Sequence, residues 1–335
     1  AIQVTAIQLR RAAAKARNIL LKRAADLTGR TVGTITLREG ELVCEPPLPN
    51  RVYRIGDLVE GVELRVLLDD AAAVKSTSEY RLVGRDMPRV DIPDKVTGRA
   101  VYVHDVRVDG MLHGRVVRPP YEGYDHGPYV GRALLSVDRE SVAHLPGVVD
   151  VVVIGDFVGV VAEREEQAAA AAEALRVKWA PVALPDPTAP VAAVRDNPAT
   201  PRVVLDRGTL EDGLAGAKTV LEREYFWPYQ MHGSIGPSCS VADWQDGKLK
   251  LWSGTQNPHM LRADLALLTG LSAAQNQVLR HAAAGRYRRN CADQVGGAAA
   301  LLSPAAGQPL PVQRSRQPEH GWEAPRAPQL VRLRG

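Results

Sequence analysis

The chain has 335 residues, 45% hydrophobic and 24% charged, with a formal net charge of +4 and a pI near 9.0. That length supports about two or three domains with cores of their own, and the composition is that of an ordinary globular protein. The basic excess is scattered and only 5% of residues are aromatic, which disfavours a nucleic-acid interface built on phosphate contacts and base stacking. Three cysteines, Cys44, Cys239 and Cys291, stand far apart without CxxC spacing, so this chain alone makes no iron–sulfur or zinc site. Their odd number argues against a disulfide-stapled scaffold. No run of about 18 apolar residues offers a membrane-spanning helix. The first residues show neither an initiator Met nor a charged-then-apolar leader, so the chain is expected to start inside a domain.

Over residues 5–27, Ile7, Leu9, Ala13, Ala16, Ile19, Leu20 and Ala24 recur at three- and four-residue spacing between Arg and Lys. This is the pattern of an amphipathic helix, with Gly29 as its stop. Val32, Ile35 and Leu37 alternate with polar neighbours before Glu39-Gly40, which reads as a hairpin. Residues 46–80, rich in Pro and charge, are expected to be an irregular connection. A second unit is expected from Arg81, with breakers at Pro88, Pro93 and Gly98 and short strands in "AVYVHDV" and "GMLHGRVVRPP". A short helix, a turn at Pro146-Gly147 and β-branched strands over 148–154 and 157–162 follow. "REEQAAAAAEALRVKW" has acids early and bases late, matching a helix dipole, and reads as a helix running into a strand. The Pro-rich passage 181–201 reads as a linker.

Beyond it come two extended segments, a turn at Asp246-Gly247, a strand through Trp252 and a helix from Pro258 to Thr269, started by Asn257-Pro258 and stopped by Gly270. A strand in "NQVLRHAAA" delivers the chain to "GRYRRNCADQ", residues 285–294, and a helix is expected in "ADQVGGAAALLS". A strand, a Gly-containing loop and a helix start form the geometry in which backbone N–H groups receive a phosphate or another anion. On the residues alone, the loop is either a solvated basic turn or an anion-holding loop.

"RLVGRDMPRVDIPDKVTGRAVYVHDVRVDGMLHGRVVRPP" resembles the opening of the hammerhead domain of the molybdenum hydroxylases, the family of aldehyde oxidase and xanthine dehydrogenase. The run from Asp94 to Gly98, "VHDV" at 103–106 and "GMLHGRVVRPP" at 110–120 carry the likeness. "YQMHGSIGPSCSVAD", "WSGTQNPHMLR" and "GRYRRNCAD" are similar, in order and spacing, to the first molybdopterin-binding domain of the branch that includes isoquinoline 1-oxidoreductase large subunits. The resemblance covers almost the whole chain. It implies an α+β fold with an a/b hammerhead domain at 81–180, a linker at 181–201 and a truncated first molybdopterin-binding α+β domain at 202–335. Residues 1–75 would be part of another cofactor-binding region.

Carried over position by position, Gln256 in "SGTQ" matches the family glutamine whose amide approaches the molybdenum oxo group and the dithiolene end of the cofactor. A carboxamide suits that task because it donates to an anionic oxygen without adding charge. Without the resemblance, Gln256 reads as a strand-end residue bonding backbone. Gly285 and Tyr287 match the glycine and aromatic of the cofactor loop, and Arg289, Asn290 and Asp293 match its "RN" and acidic positions, with Arg286 in the same cofactor-binding stretch. Arg286, Arg288, Cys291 and Gln294 stand where the branch carries Cys, Gly, Gly and Asp. Arg and Cys lack glycine's backbone freedom, so the loop is expected to be remodelled, or to bind cofactor weakly or not at all. His232, His259 and His281 lack ligand spacing, and in the family the metal is held by the pterin dithiolene. His320 and Trp322 in "EHGWE" read as a substrate-channel or subunit-contact element, or as a surface turn.

The resemblance implies an oxidoreductase that hydroxylates an N-heteroaromatic ring or an aldehyde with water as oxygen source, through a molybdenum–molybdopterin cofactor in its cytosine dinucleotide form. It implies a small partner subunit carrying [2Fe–2S] clusters and, past that, a cytochrome c or flavin subunit. The family's general-base glutamate falls outside this chain, which is therefore expected to work with the remainder of a longer large subunit. Partners are a small-molecule substrate and these subunits, with no nucleic acid. The compartment stays open between bacterial periplasm and cytoplasm, with partners as the route to the inner membrane. Two rival readings stand: a truncated, non-catalytic paralogue serving subunit contact, favoured by Arg286, Arg288 and Cys291, and an anion- or nucleic-acid-binding protein using "RYRR".

Overall fold

The computed structural model describes residues 2–47, 53–67, 72–119, 132–181, 186, 188–231, 233–283, 292–322 and 326–335. Its contacts separate two units, Ala1–Ile92 and Pro93–Gly335. In the first, helix α1 (Ile2–Thr28) stops at Gly29, whose φ of +67° is the left-handed cap that glycine adopts without steric cost. Strands β1 (Ile35–Arg38), β2 (Glu41–Cys44) and β3 (Tyr53–Arg54) form an antiparallel sheet in that order. Glu39 and Gly40, at φ 52° and 84°, supply the consecutive left-handed residues of a two-residue hairpin turn. Leu21 and Ala24 of α1 bury against Ile35, Leu42, Cys44 and Leu58. As expected, the connection after residue 46 has little regular structure beyond β3 and short 3-10 turns at Gly56–Leu58 and Thr77–Glu79 among the described residues.

A short helix, α2 (Ile92–Val96), leads into the second unit. The expected strand in "AVYVHDV" is corrected: Val103–Asp105 is a 3-10 turn, and Tyr102 makes only an isolated bridge, to Ala282. The reason is local. Asp105 accepts a hydrogen bond from Tyr102 N at 2.8 Å, a side-chain bond that closes a turn in competition with a ladder. Then follow β4 (His113–Val117), β5 (Leu134–Asp138), α3 (Glu140–Ala143), β6 (Val148–Ile154), β7 (Phe157–Ala162), α4 (Glu165–Ala174) and β8 (Arg176–Trp179). Within the Pro-rich passage Pro190 opens a short helix, α5 (Pro190–Asp196), at the position where proline's missing N–H costs nothing. The chain continues through α6 (Leu210–Ala215), β9 (Glu222–Trp227), β10 (Cys239–Gln245), β11 (Lys248–Ser253), α7 (Pro258–Thr269), β12 (Asn276–Arg280), α8 (Ala292–Ala306), β13 (Leu310–Gln313), α9 (Arg316–Trp322) and β14 (Gln329–Arg334).

Seven strands form one sheet in the order β12-β11-β10-β13-β4-β7-β6, and β5–β8 and β9–β14 are separate antiparallel pairs. The sheet is covered on both faces. Val158 and Val160 of β7 pack with Val142 of α3 and Ala171 of α4, whereas Val161 joins α7 and α8 in the larger core with Leu249, Leu251, Leu265 and Leu302. Alternation along β7 thus feeds two cores.

α8 packs onto the sheet over glycines that leave room for its side chains. A Cβ on Gly159 would lie 2.7 Å from Leu302 Cδ2, and one on Gly114 would lie 2.9 Å from Leu302 Cδ1. On the helix itself, a Cβ on Gly296 would lie 3.1 Å from Leu251 Cδ2. Among the described residues no helix is long and apolar enough to cross a membrane.

Leu302→Ala is expected to cost about 2–5 kcal/mol, and Gly159→Ala about 1–3 kcal/mol through overpacking, in urea unfolding. The double variant is expected to cost less than the sum, because the shortened side chain vacates the space that the new methyl needs. Strict additivity would show that the two groups do not meet.

Candidate functional site

β11 and β12 are parallel, β10 is antiparallel to both β11 and β13, and β13 is parallel to β4. The carboxyl ends of β4, β11, β12 and β13 therefore share one edge of the sheet with the start of β10. Open α/β-type sheets place ligands outside such carboxyl ends. What leaves this edge is the loop of Gln256 from β11, the stretch toward residues 284–291 from β12, Arg314 and Ser315 from β13, and Arg118 and Pro119 from β4.

The Gln256 loop is fixed from both sides. Thr255 is fully buried and its Oγ1 accepts from Asn257 N at 3.1 Å. Asn257 caps α7, its side chain accepting from Met260 N at 3.2 Å, and Gly270 at φ 73° ends that helix. Gln256 itself is exposed. One strand over, α8 begins at Ala292 with Asp293 in its first turn, half-buried, where a carboxylate complements the helix dipole. Gln256 and Asp293 are thus brought to the same edge. Gly285, Arg286, Tyr287, Arg289 and Asn290 lie outside the described residues, as do Arg288, Cys291 and His232. His259 is exposed on α7, and His281 N donates to Ser253 O at 2.9 Å in the backbone.

The segment entering β10 has no regular structure and is held from four sides. His104 Nε2 pairs with Pro237 O at 2.8 Å, Arg314 N donates to Ser238 O at 3.0 Å, and Arg316 Nη1 donates to Ser234 O at 2.6 Å. Glu319, 0% exposed on α9, accepts from Ser238 N at 3.0 Å and from Ser238 Oγ at 2.8 Å. A buried carboxyl group of this kind is tolerable because donors converge on it. Sequence reading singled out its neighbours His320 and Trp322 and missed Glu319 and Ser238, which are 81 positions apart. Trp322 lies under Arg118, whose guanidinium carbon is 4.7 Å from the ring centroid.

Cys239, the first residue of β10, is 2% exposed, and burial pushes its thiol up to about 12. It stays a neutral, unreactive thiol through the physiological range.

These features coincide with clear likenesses. Residues 195–333 match the molybdopterin cofactor-binding domain family. A nicotinate dehydrogenase subunit of Pseudomonas putida is 50% identical over 336 residues, covering 100% of this chain and 28% of that protein. Along its whole length the chain is thus similar to part of that dehydrogenase subunit, and over residues 195–333 to a molybdopterin cofactor-binding domain. A second relative, the beta subunit of isoquinoline 1-oxidoreductase from Brevundimonas diminuta, is 39% identical over 109 residues, 32% of this chain and 13% of that one. Among solved molybdenum hydroxylases, the aldehyde oxidoreductase of Desulfovibrio gigas superposes with a TM-score of 0.60 at 20% identity, over 74% of this chain and 32% of that one. The α+β fold implied by the resemblance is the fold observed. The chain spans well under half the length of each of these relatives.

In the folded protein Cys239 is expected to resist iodoacetamide at about pH 8 and to become labelled only on unfolding, read by peptide mass spectrometry. The folded thiol is raised to about 12 from an ordinary 9.0, so its contribution to stability is present below 9.0 and is lost as pH rises toward 12. Rapid labelling of Cys239 in the native state would contradict its burial.

Proposed function

We propose that this chain is part of the molybdenum-cofactor-binding large subunit of an oxidoreductase that hydroxylates an N-heteroaromatic ring or an aldehyde with water as oxygen source. The observation that carries the reading is the placement of Gln256 and the start of α8 on one edge, at the carboxyl ends of adjacent parallel strands β11 and β12. The donor set fits the cofactor. An exposed carboxamide and a helix N-terminus offer neutral N–H donors to oxo, thiolate or phosphate groups, without a competing metal-ligand set among the described residues. The residues assigned to hold it are Gln256, Gly285, Arg286, Tyr287, Arg289, Asn290 and Asp293. Molybdenum on its pterin, when bound, supplies a Lewis acid and a two-electron acceptor.

In this reading Gln256 donates to an anionic oxygen, the α8 amides orient the cofactor's anionic end, and Tyr287 borders the substrate cavity. Residues 81–180 are assigned as the hammerhead domain, 202–335 as the first cofactor-binding domain, and 1–75 as part of a further cofactor-binding region. The cytosine dinucleotide form of the cofactor, a small [2Fe–2S] subunit, a further cytochrome c or flavin subunit and the remainder of the large subunit complete the assembly. The names of the two relatives above favour an N-heteroaromatic substrate over an aldehyde. Arg286, Arg288 and Cys291 support the second reading, a non-catalytic subunit-contact module.

Elemental molybdenum and oxidised-pterin fluorescence, measured on the full large subunit co-expressed with its small subunit, separate the two. Near-stoichiometric cofactor is expected. Gln256→Ala is expected to keep the cofactor while turnover falls by about 10²-fold, the size of a lost oxyanion donor. A folded complex lacking both molybdenum and pterin would favour the contact module.

A further inference from the structure

The exposed Gln256 stands on a buried polar base. Ser253 closes β11 and Thr255 precedes Gln256, and both are 0% exposed. Across the ladder Ser240 of β10 is paired with Ser253, is itself fully buried, and donates from its Oγ to Ser253 Oγ at 3.0 Å. By alternation these two serines share the side of the strands that carries Ala242, Leu249 and Leu251, residues of the core packed with α8. An apolar pair at 240 and 253 would fill that position without the cost of burying hydroxyls. The hydrogen bond between them therefore specifies one arrangement of the strand ends rather than adding burial.

Hydrogen bonds run from this pair to each element of the site edge. Ser253 O accepts from His281 N at 2.9 Å, so the same residue holds the exit of β12. Thr255 Oγ1 accepts from Asn257 N at 3.1 Å and brackets Gln256 between two fixed neighbours. Two positions before Ser240 lies Ser238, whose N and Oγ donate to Glu319 at 3.0 and 2.8 Å. Ser238 O in turn accepts from Arg314 N at 3.0 Å, and Arg314 Nη2 donates to Gln294 Oε1 at 2.7 Å in the first turn of α8. Glu319 thus grips a strand start that is hydrogen-bonded toward the Gln256 loop on one side and toward the start of α8 on the other.

We infer that Glu319, Ser238, Ser240 and Ser253 are positioning residues for Gln256, a buried chain that fixes where its carboxamide stands relative to the start of α8. The inference rests on the reading of Gln256 as a donor to an anionic oxygen, and adds to it the groups that aim the donor. An exposed glutamine has rotamer freedom of its own, and a donor stabilises developing charge only where it is held in place. The four residues act through the backbone at 253–257 and not by contact with the cofactor.

The test uses the full large subunit in complex with its small subunit, with steady-state turnover and amide hydrogen exchange over residues 253–260 measured side by side. Ser240→Ala leaves the Glu319 clamp intact. It is expected to speed exchange of the Asn257 amide about tenfold, the equivalent of one lost hydrogen bond. It is expected to lower kcat about tenfold while KM stays within about twofold. In a Gln256→Ala background the same substitution is expected to leave kcat within about twofold, because the group being aimed is gone. A general loosening of the fold would lower kcat by the same factor in both backgrounds. Glu319→Ala is expected to match Ser240→Ala in exchange and in kcat. Glu319→Gln is expected to restore both to within about threefold, since a carboxamide still accepts from Ser238 N and offers an N–H to its hydroxyl. Equal effects of Ser240→Ala with and without Gln256, or exchange unmoved in both Ser240→Ala and Glu319→Ala, would overturn the positioning role. Unchanged turnover in Gln256→Ala would overturn the reading of Gln256 and this inference with it, and altered exchange in Ser240→Ala would then mark that reading, not the buried chain, as the part that failed.

Discussion

The close seating of α8 on the central sheet is the constraint on which the rest of the second unit depends. Leu302, 0% exposed, occupies a notch made by Gly114 of β4 and Gly159 of β7, and Gly296 lets the helix approach Leu251 of β11. Burying a leucine stabilises by about 1.5–3 kcal/mol, but only where the backbone lets it come close. Because the same helix carries Asp293 and Gln294 in its first turn, the depth at which Leu302 seats also sets where those groups stand along the sheet edge. One packing event therefore ties α8 to β4, β7 and β11 and sets where the helix starts relative to the strand ends.

A second layer of control is polar. The irregular segment before β10 would leave backbone groups unsatisfied if it were merely covered by apolar side chains. His104, Arg316, Glu319 and the backbone of Arg314 provide its partners instead. Glu319 binds that segment with its carboxyl group fully buried, so its loss would leave Ser238 donors without acceptors and release the start of β10. The site edge is thus built from strand ends held by a core below and by hydrogen bonds above.

Local signals in the sequence located the elements whose stops are local. Gly29, Glu39-Gly40, Asn257 and Gly270 each act within a few positions of themselves, and the structure uses each as the sequence implied. The "AVYVHDV" stretch misled because the Asp105 side chain outcompeted the ladder that its alternation suggested. Gln256 is proposed through family likeness alone, since an exposed glutamine after a strand has no periodicity to mark it. The Glu319–Ser238 clamp and the hydrogen bond from Arg115 Nη1 to Gln313 O were not legible, because they join residues 81 and 198 positions apart. No local pattern announces that Arg115 will meet Gln313.

The most direct measurement is anomalous diffraction at the molybdenum absorption edge from crystals of the full large subunit with its small subunit. The expected result is a single molybdenum peak beside Gln256, at the carboxyl ends of β11 and β12 and near the start of α8. A peak away from that edge, with the same fold intact, would contradict the placement of the site.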